Sequence, residues 1–145
     1  MSQENLRRSR EAAAAFNRRD LEAFVALAHP DIELVSRVGQ LEHERPYRGH
    51  DGLRIWWQDI LGIAPDFEIK VEENRDIGDA TISRHRERGS AFTSGAPMEQ
   101  TAWHVAKWRD GKVTWWRICQ SESEALEALG VSGGASSTPS RTDRR

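Results

Sequence analysis

The stretch "WHVAKWRDGKVTWWRICQS", residues 103–121, constrains this chain more than any other. It gathers four of the six tryptophans, a histidine and the sole cysteine around one Asp-Gly pair. Two apolar, β-rich runs flanking Asp-Gly read as an antiparallel hairpin. Strand side chains alternate between faces, so the length of the turn decides which rings share one side of the sheet. A two-residue turn at Asp110-Gly111 pairs Arg109 with Lys112 and sets His104 opposite Arg117. A three-residue loop, with Gly111 left-handed, pairs Trp108 with Lys112 and sets His104 opposite Trp116. Asp-Gly alone favours the shorter turn.

The rest of the chain supplies helices for such a sheet. Alanine-rich "EAAAAF", with Leu6, Ala13 and Phe16 at near-helical spacing, predicts a helix over 3–17. Asp20 is placed to cap a second helix, in which Leu21, Phe24, Val25 and Ala28 share a face. His29-Pro30 ends it, because a residue before proline is pushed out of the helical region. "IELVSRV" (32–38) reads as a strand, and a polar crossing (39–52) leads to a third helix. There Leu53, Trp56, Trp57, Ile60 and Leu61 make the cleanest amphipathic stripe in the chain, stopped by Gly62 and Pro65. Strands follow at 67–73, 79–92, 98–108 and 112–121. Ser121 with Glu124 fits a capping box that opens a short helix ending at Gly130. This order predicts an α+β fold with helices gathered on one face of a curved sheet, a shape that encloses a pocket.

Bulk properties narrow the class. At 145 residues the chain reads as one domain over 1–130, and 131–145, poor in large apolar residues, reads as a disordered tail. The 21 basic and 23 acidic residues nearly cancel, and no Lys/Arg cluster dominates an element, so no nucleic-acid partner is expected. One cysteine leaves no intrachain disulfide and no cysteine-rich zinc site. The N-terminus has no apolar leader and no run is long enough to span a bilayer, so no membrane partner and a cytoplasmic location are expected.

Three segments, "AFNRRDLEAFVALAHPDIEL" (15–34), "YRGHDGLRIWW" (47–57) and "HVAKWRDGKVTWWRICQSESEALEALG" (104–130), together resemble the SnoaL-like group of the nuclear transport factor 2-like superfamily. The resemblance spans about residues 5–130. It implies a cone-shaped α+β fold, a curved antiparallel sheet wrapped around N-terminal helices. Its relatives include ketosteroid isomerases, polyketide cyclases, limonene-type epoxide hydrolases and binding or scaffolding proteins, so function must be argued from the site. In the family the equivalents of 104, 116 and 118 line the cone, which implies the three-residue loop. His104, Ala106, Trp116, Ile118 and Gln120 then point inward, with Trp103, Val105, Trp115, Arg117 and Cys119 outward. So apolar an outer face predicts a homodimer through it.

In "SRHRERG" the two-residue period separates His85 and Glu87 from three arginines, making the pair inward candidates. The epoxide hydrolases place an arginine and an aspartate at what look like these positions. A carboxylate beside an imidazole is expected to raise its pKa and fix its tautomer, which suits general-base work. The resemblance puts His104 where the isomerases keep an oxyanion-hole acid, so His104 is expected to donate to a substrate oxygen. The isomerase base falls at Ser36, the isomerase tyrosine near Ala12, and a second epoxide-hydrolase aspartate at Ile118, so neither template mechanism carries over whole. Phe16, Ser36, Tyr47, Trp56, Trp116, Ile118 and Gln120 are expected to line the pocket. His50 and Asp51 read as helix caps and His29 and His43 as loop residues. The spacing in "HPDIE" and "EHE" does not place three ligands on one face, and "GHDG" and "RDG" lack phosphate-loop spacing, so no metal and no cofactor are expected.

Two functions follow as expectations. One is a cofactor-independent enzyme of the isomerase or cyclase kind, in which His85, Glu87 and His104 act on a small hydrophobic or polycyclic carbonyl compound. The other is a module of the same shape that binds a small hydrophobic molecule or serves as a dimeric scaffold without turnover.

Overall fold

The computed structural model describes residues 2–36 and 45–130. The expected tail at 131–145, the strand end at 37–38 and His43 lie outside the described residues. Along the chain run α1 (Ser2–Asn17), α2 (Leu21–Ala26), β1 (Ala28–Val35), β2 (Tyr47–Arg48), α3 (Gly49–Ile63) and β3 (Glu68–Ile77). They are followed by β4 (Ala80–Ser90), β5 (Pro97–Arg109), β6 (Lys112–Cys119) and α4 (Glu122–Leu129). The six strands make one curved, unclosed sheet in the order β2-β1-β6-β5-β4-β3. All pairings are antiparallel except the contact of β1 with β6, where the sheet departs from the expected antiparallel run.

The three N-terminal helices pack into the concave face. Phe16, Phe24, Trp56, Trp57 and Phe67 form its densest part, with the Phe16 and Trp57 centroids 4.8 Å apart. α2 is capped as its sequence demands, Asp20 Oδ1 accepting from the Ala23 N–H at 3.1 Å. It ends earlier than expected, at Ala26, because the Leu27 carbonyl is claimed by the Val113 N–H of β6 (3.0 Å) and His29-Pro30 are drawn into β1. α3 begins at Gly49 with Arg48 as N-cap and no side-chain capping bond. His50 instead ties the helix to β1 through the Ala28 carbonyl (2.8 Å). Asn17 holds edge strand β3 by bonding both polar backbone groups of Ile69, at 2.7 and 2.9 Å.

The β5–β6 hairpin corrects the expected loop. Arg109 pairs with Lys112, so the turn has two residues. Asp110 (φ 54°) and Gly111 (φ 76°) are both left-handed, as a type I′ turn requires. Trp108 then pairs with Val113 but Lys107 pairs with Trp115, which leaves Thr114 as a β-bulge. The extra residue reverses the alternation beyond it, so His104 comes opposite Ile118 and Ala106 opposite Trp116. A short turn followed by a bulge thus puts His104, Trp116 and Ile118 on one face, the arrangement that had been expected from a longer loop.

The convex face carries its own cluster of Ile82, Val105, Cys119 and Ala125, flanked by Trp103, Trp115, Leu126 and Leu129. α4 covers part of it. The Ser121 hydroxyl accepts from the Glu124 N–H (3.1 Å), and Glu124 returns a bond to the Gln120 N–H (2.7 Å), one residue before the position a capping box uses. The partly buried tryptophans left outside the cluster are stacked by cations, Arg84 over Trp103 and Lys107 and Arg117 over Trp115.

Candidate functional site

Alternation along β4 turns Thr81, Ser83, His85 and Glu87 to the concave side, all buried, and Arg86 and Arg88 to solvent. β5 sets Gln100 opposite Glu87, Ala102 opposite His85 and His104 opposite Ser83. The small side chain of Ala102 leaves room between Gln100 and His104, and both reach the same carboxylate. His104 Nε2 lies 2.8 Å from Glu87 Oε2, and Gln100 Nε2 donates to Glu87 Oε1 at 2.9 Å.

Trp116 fixes the direction of this chain of bonds. Its indole N–H, which can only donate, meets His104 Nδ1 at 3.1 Å. The ring proton of His104 therefore sits on Nε2 and points at Glu87. Both nitrogens of His104 are engaged, so the expected donation to a substrate oxygen is not open to it in this arrangement.

His85 is the contrasting group. Its ring stacks on His104 with centroids 3.9 Å apart, and its Nδ1 lies 3.9 Å from Glu87 Oε2, beyond hydrogen-bond reach. Neither ring nitrogen has a hydrogen-bond partner among the described residues, although only 6% of the residue is exposed. Burial, and then the neighbouring His104, push its pKa well below the ordinary 6.5. That reverses the expected upward shift, because desolvation of the cation outweighs a carboxylate that does not touch the ring. Burial thus favours the neutral imidazole, whose acceptor lone pair meets no donor among the described residues.

Two chambers adjoin this cluster. The inner one, about 70 Å³, is walled mainly by apolar side chains of α1, α2, α3 and the sheet, together with His85 and His104. The larger, about 340 Å³, is lined by Ser36, Glu87, Gln100, Ile118, Gln120 and Met98 among others. Trp56, Ile69 and His104 belong to both linings. Of the expected lining residues, Trp56 and Trp116 face the inner chamber, and Ser36, Trp56, Ile118 and Gln120 the larger. Phe16 and Tyr47 line neither. Phe16 is packed inside the aromatic core, and the Tyr47 hydroxyl donates to Asp59 Oδ2 at 2.7 Å. Of the tryptophans, Trp56, Trp108 and Trp116 wall the inner chamber, Trp57 packs in the core, and Trp103 and Trp115 lie on the other face. Cys119 borders the larger chamber as a thiol, burial pushing its pKa up to about 11.

Sequence reasoning passed over Gln100 and Trp56 as polar groups. Gln100 stands four residues before His104, on the same face of β5, and the two-residue period that singled out His85 and Glu87 would have found it.

His85, Glu87 and His104 offer ligand atoms all within 4.8 Å of one another, the spread of a two-histidine, one-carboxylate metal set. A histidine bound to a metal through Nε2 carries its proton on Nδ1 and needs an acceptor there. At His104 that position faces the Trp116 N–H, a donor, so the bonding pattern works against a metal ion.

The sequence profile of SnoaL-like domains matches residues 9–116. No curated protein matches the chain. Among solved structures, an NTF2-like protein of unknown function from Burkholderia pseudomallei superposes with TM-score 0.74 at 20% identity, covering 88% of this chain and 97% of that one. TerC, crystallised with polyporic acid, gives 0.72 at 20% identity over 88% and 98%. These two likenesses show the fold alone. IdmH from Streptomyces antibioticus, assigned as a polyketide cyclase, gives 0.63 at 28% identity over 82% and 93%.

Proposed function

The chain belongs to the SnoaL-like domain family, and from that premise we propose that its cone binds a small hydrophobic or polycyclic carbonyl compound and shifts a proton on it without a bound cofactor. The observation that carries this reading is His85: buried, without a hydrogen-bond partner among the described residues, and set in the wall of an apolar chamber. Its lone pair takes a proton from the carbon beside the carbonyl, the C–H electron pair moves into the new C=C bond, and the carbonyl π pair moves onto oxygen. The imidazolium so formed lies within 4 Å of the Glu87 carboxylate, which Gln100 and His104 hold in place. Return of the proton to a different carbon gives an isomer, and attack of the enolate carbon on a second carbonyl gives a ring. IdmH supports the second outcome by resemblance, since polyketide cyclases close rings of this kind.

A probe with an acidic C–H tests this before any natural substrate is known. In D₂O, 2-tetralone should exchange the protons at its benzylic carbon faster with the protein than without it, as read by proton NMR. His85→Leu should lower that acceleration on the order of 100-fold. Exchange no faster than in buffer would replace the enzyme with the second reading, a non-catalytic binder. That alternative draws on the engagement of both His104 nitrogens, which makes the cluster resemble a satisfied structural network. As part of the same proposal, a second copy of the chain covers the outer sheet face beside α4, where Trp103 and Trp115 are only partly buried.

A further inference from the structure

Two buried polar groups in the wall of the inner chamber have no hydrogen-bond partner among the described residues, the ring nitrogens of His85 and the indole Nε1 of Trp56. The chamber's other polar side chains are served. Thr81 Oγ1 accepts from Trp108 Nε1 (3.0 Å), Ser83 Oγ donates to Asn74 Oδ1 (2.9 Å), Ser9 and Ser83 hydroxyls lie 3.4 Å apart, and His104 is engaged at both nitrogens. A polar group left unpaired in an apolar interior costs about 1–3 kcal/mol, so two around one small chamber call for a physical reason.

Their chemistry is complementary in one particular way. An indole N–H can only donate, whereas a neutral imidazole has one nitrogen that accepts. We propose that the inner chamber is a recognition site for a hydroxyl group on an unsaturated carbon, an enol or a phenol, which gives its proton to His85 and receives the Trp56 N–H on its oxygen. A ketone oxygen has no proton to give and serves the indole alone. An alkyl group serves neither. Trp56 is thus assigned a specificity role, one that His104 cannot fill while Trp116 and Glu87 hold it.

The volumes fix how such a ligand sits. About 70 Å³ takes only the hydroxyl-bearing edge of a ring system, and the remainder extends past Trp56 and Ile69 into the 340 Å³ chamber. The assignment rests on the proposed pocket and deepens it, because proton removal from a ketone leaves an enolate, which becomes an enol when the His85 imidazolium returns that proton to its oxygen and is neutral again. Site and chemistry remain separable: a cone that reads hydroxyls need not exchange protons, and one that exchanges protons need not read hydroxyls.

The test compares 2-naphthol, a stable likeness of the enol of 2-tetralone, with 2-methylnaphthalene, which keeps the shape and loses the hydroxyl. Isothermal titration calorimetry on the full chain should show 2-naphthol binding at least tenfold tighter. Trp56→Phe should cut that advantage to about threefold or less, whatever the smaller ring does to the affinity for both compounds alike. Should that variant fold poorly, the wild-type Trp56 indole proton should move downfield in NMR with 2-naphthol and stay in place with 2-methylnaphthalene. Equal affinities, no binding of either compound, or an advantage that survives Trp56→Phe would overturn the assignment, even where 2-tetralone exchange is accelerated. Selective 2-naphthol binding without any exchange would uphold it and remove the enzyme reading instead.

Discussion

His85 makes the site depend on pH, and the sign follows from its burial. The folded state keeps the ring neutral well below 6.5, whereas an unfolded chain takes up a proton near that value. Between the two pKa values the unfolded state binds the extra proton, so stability is full above about 6.5 and falls as pH drops through the window below it. Urea unfolding at pH 7.0 and pH 5.5 should therefore show a loss that shrinks by about 1 kcal/mol in His85→Leu, one proton's share of the linkage. An unchanged difference would mean that the ring is protonated or hydrated in the folded protein. At this scale the sequence was informative about location and poor about role. Alternation in "SRHRERG" and the family register brought His85, Glu87 and His104 to one point. Their hydrogen bonds depend on which side chain donates to which, and nothing in a strand's periodicity tells that Trp116 would settle the tautomer of His104.

The β5–β6 hairpin is the element on which the site depends. Its turn chemistry was legible in Asp110-Gly111, since two consecutive left-handed positions are what that pair accommodates best. The bulge was not, because threonine at 114 is an ordinary strand residue and a bulge leaves no compositional mark when neither partner is glycine. The resemblance supplied the correct faces and, in the absence of a bulge, could be met only by assuming the wrong loop. A deletion separates these devices. Without Thr114 the hairpin becomes regular, yet Lys107 still pairs with Trp115 and Ala106 with Trp116. Cooperative thermal unfolding should persist in the deletion variant, with a cost of about 1–3 kcal/mol for lost local twist and bonds. A variant that no longer unfolds cooperatively would show that Thr114 does more than set parity. The helices were read more surely, because an amphipathic stripe such as Leu53, Trp56 and Trp57 states both its period and its buried side. Their ends shifted where a neighbour competed for the backbone, as β6 does at Leu27.

At the scale of the whole molecule the two faces of the sheet divide the labour. The concave side holds helices, chambers and the histidine cluster, and the convex side holds a smaller core under α4. The strong apolar character of β5 and β6 on the convex side was visible in the sequence, but the partner was not: α4 satisfies part of it within the same chain. What is left for a second copy is modest, and sedimentation equilibrium decides whether it suffices. The proposed dimer should report twice the 16.5 kDa of one chain, with dissociation promoted by Trp103→Glu; a single-chain mass at tens of micromolar would withdraw it. Among the described residues no helix is long and apolar enough to cross a membrane. On the concave side, Trp56 and Trp116 stand with centroids 5.1 Å apart and planes crossed at 64°, both in the wall of the inner chamber. Two chromophores so close and so inclined share their excited states, and the circular dichroism of the pair depends steeply on their mutual angle. A guest that enters this chamber and turns either ring changes that signal, so the protein carries its own optical gauge of occupancy.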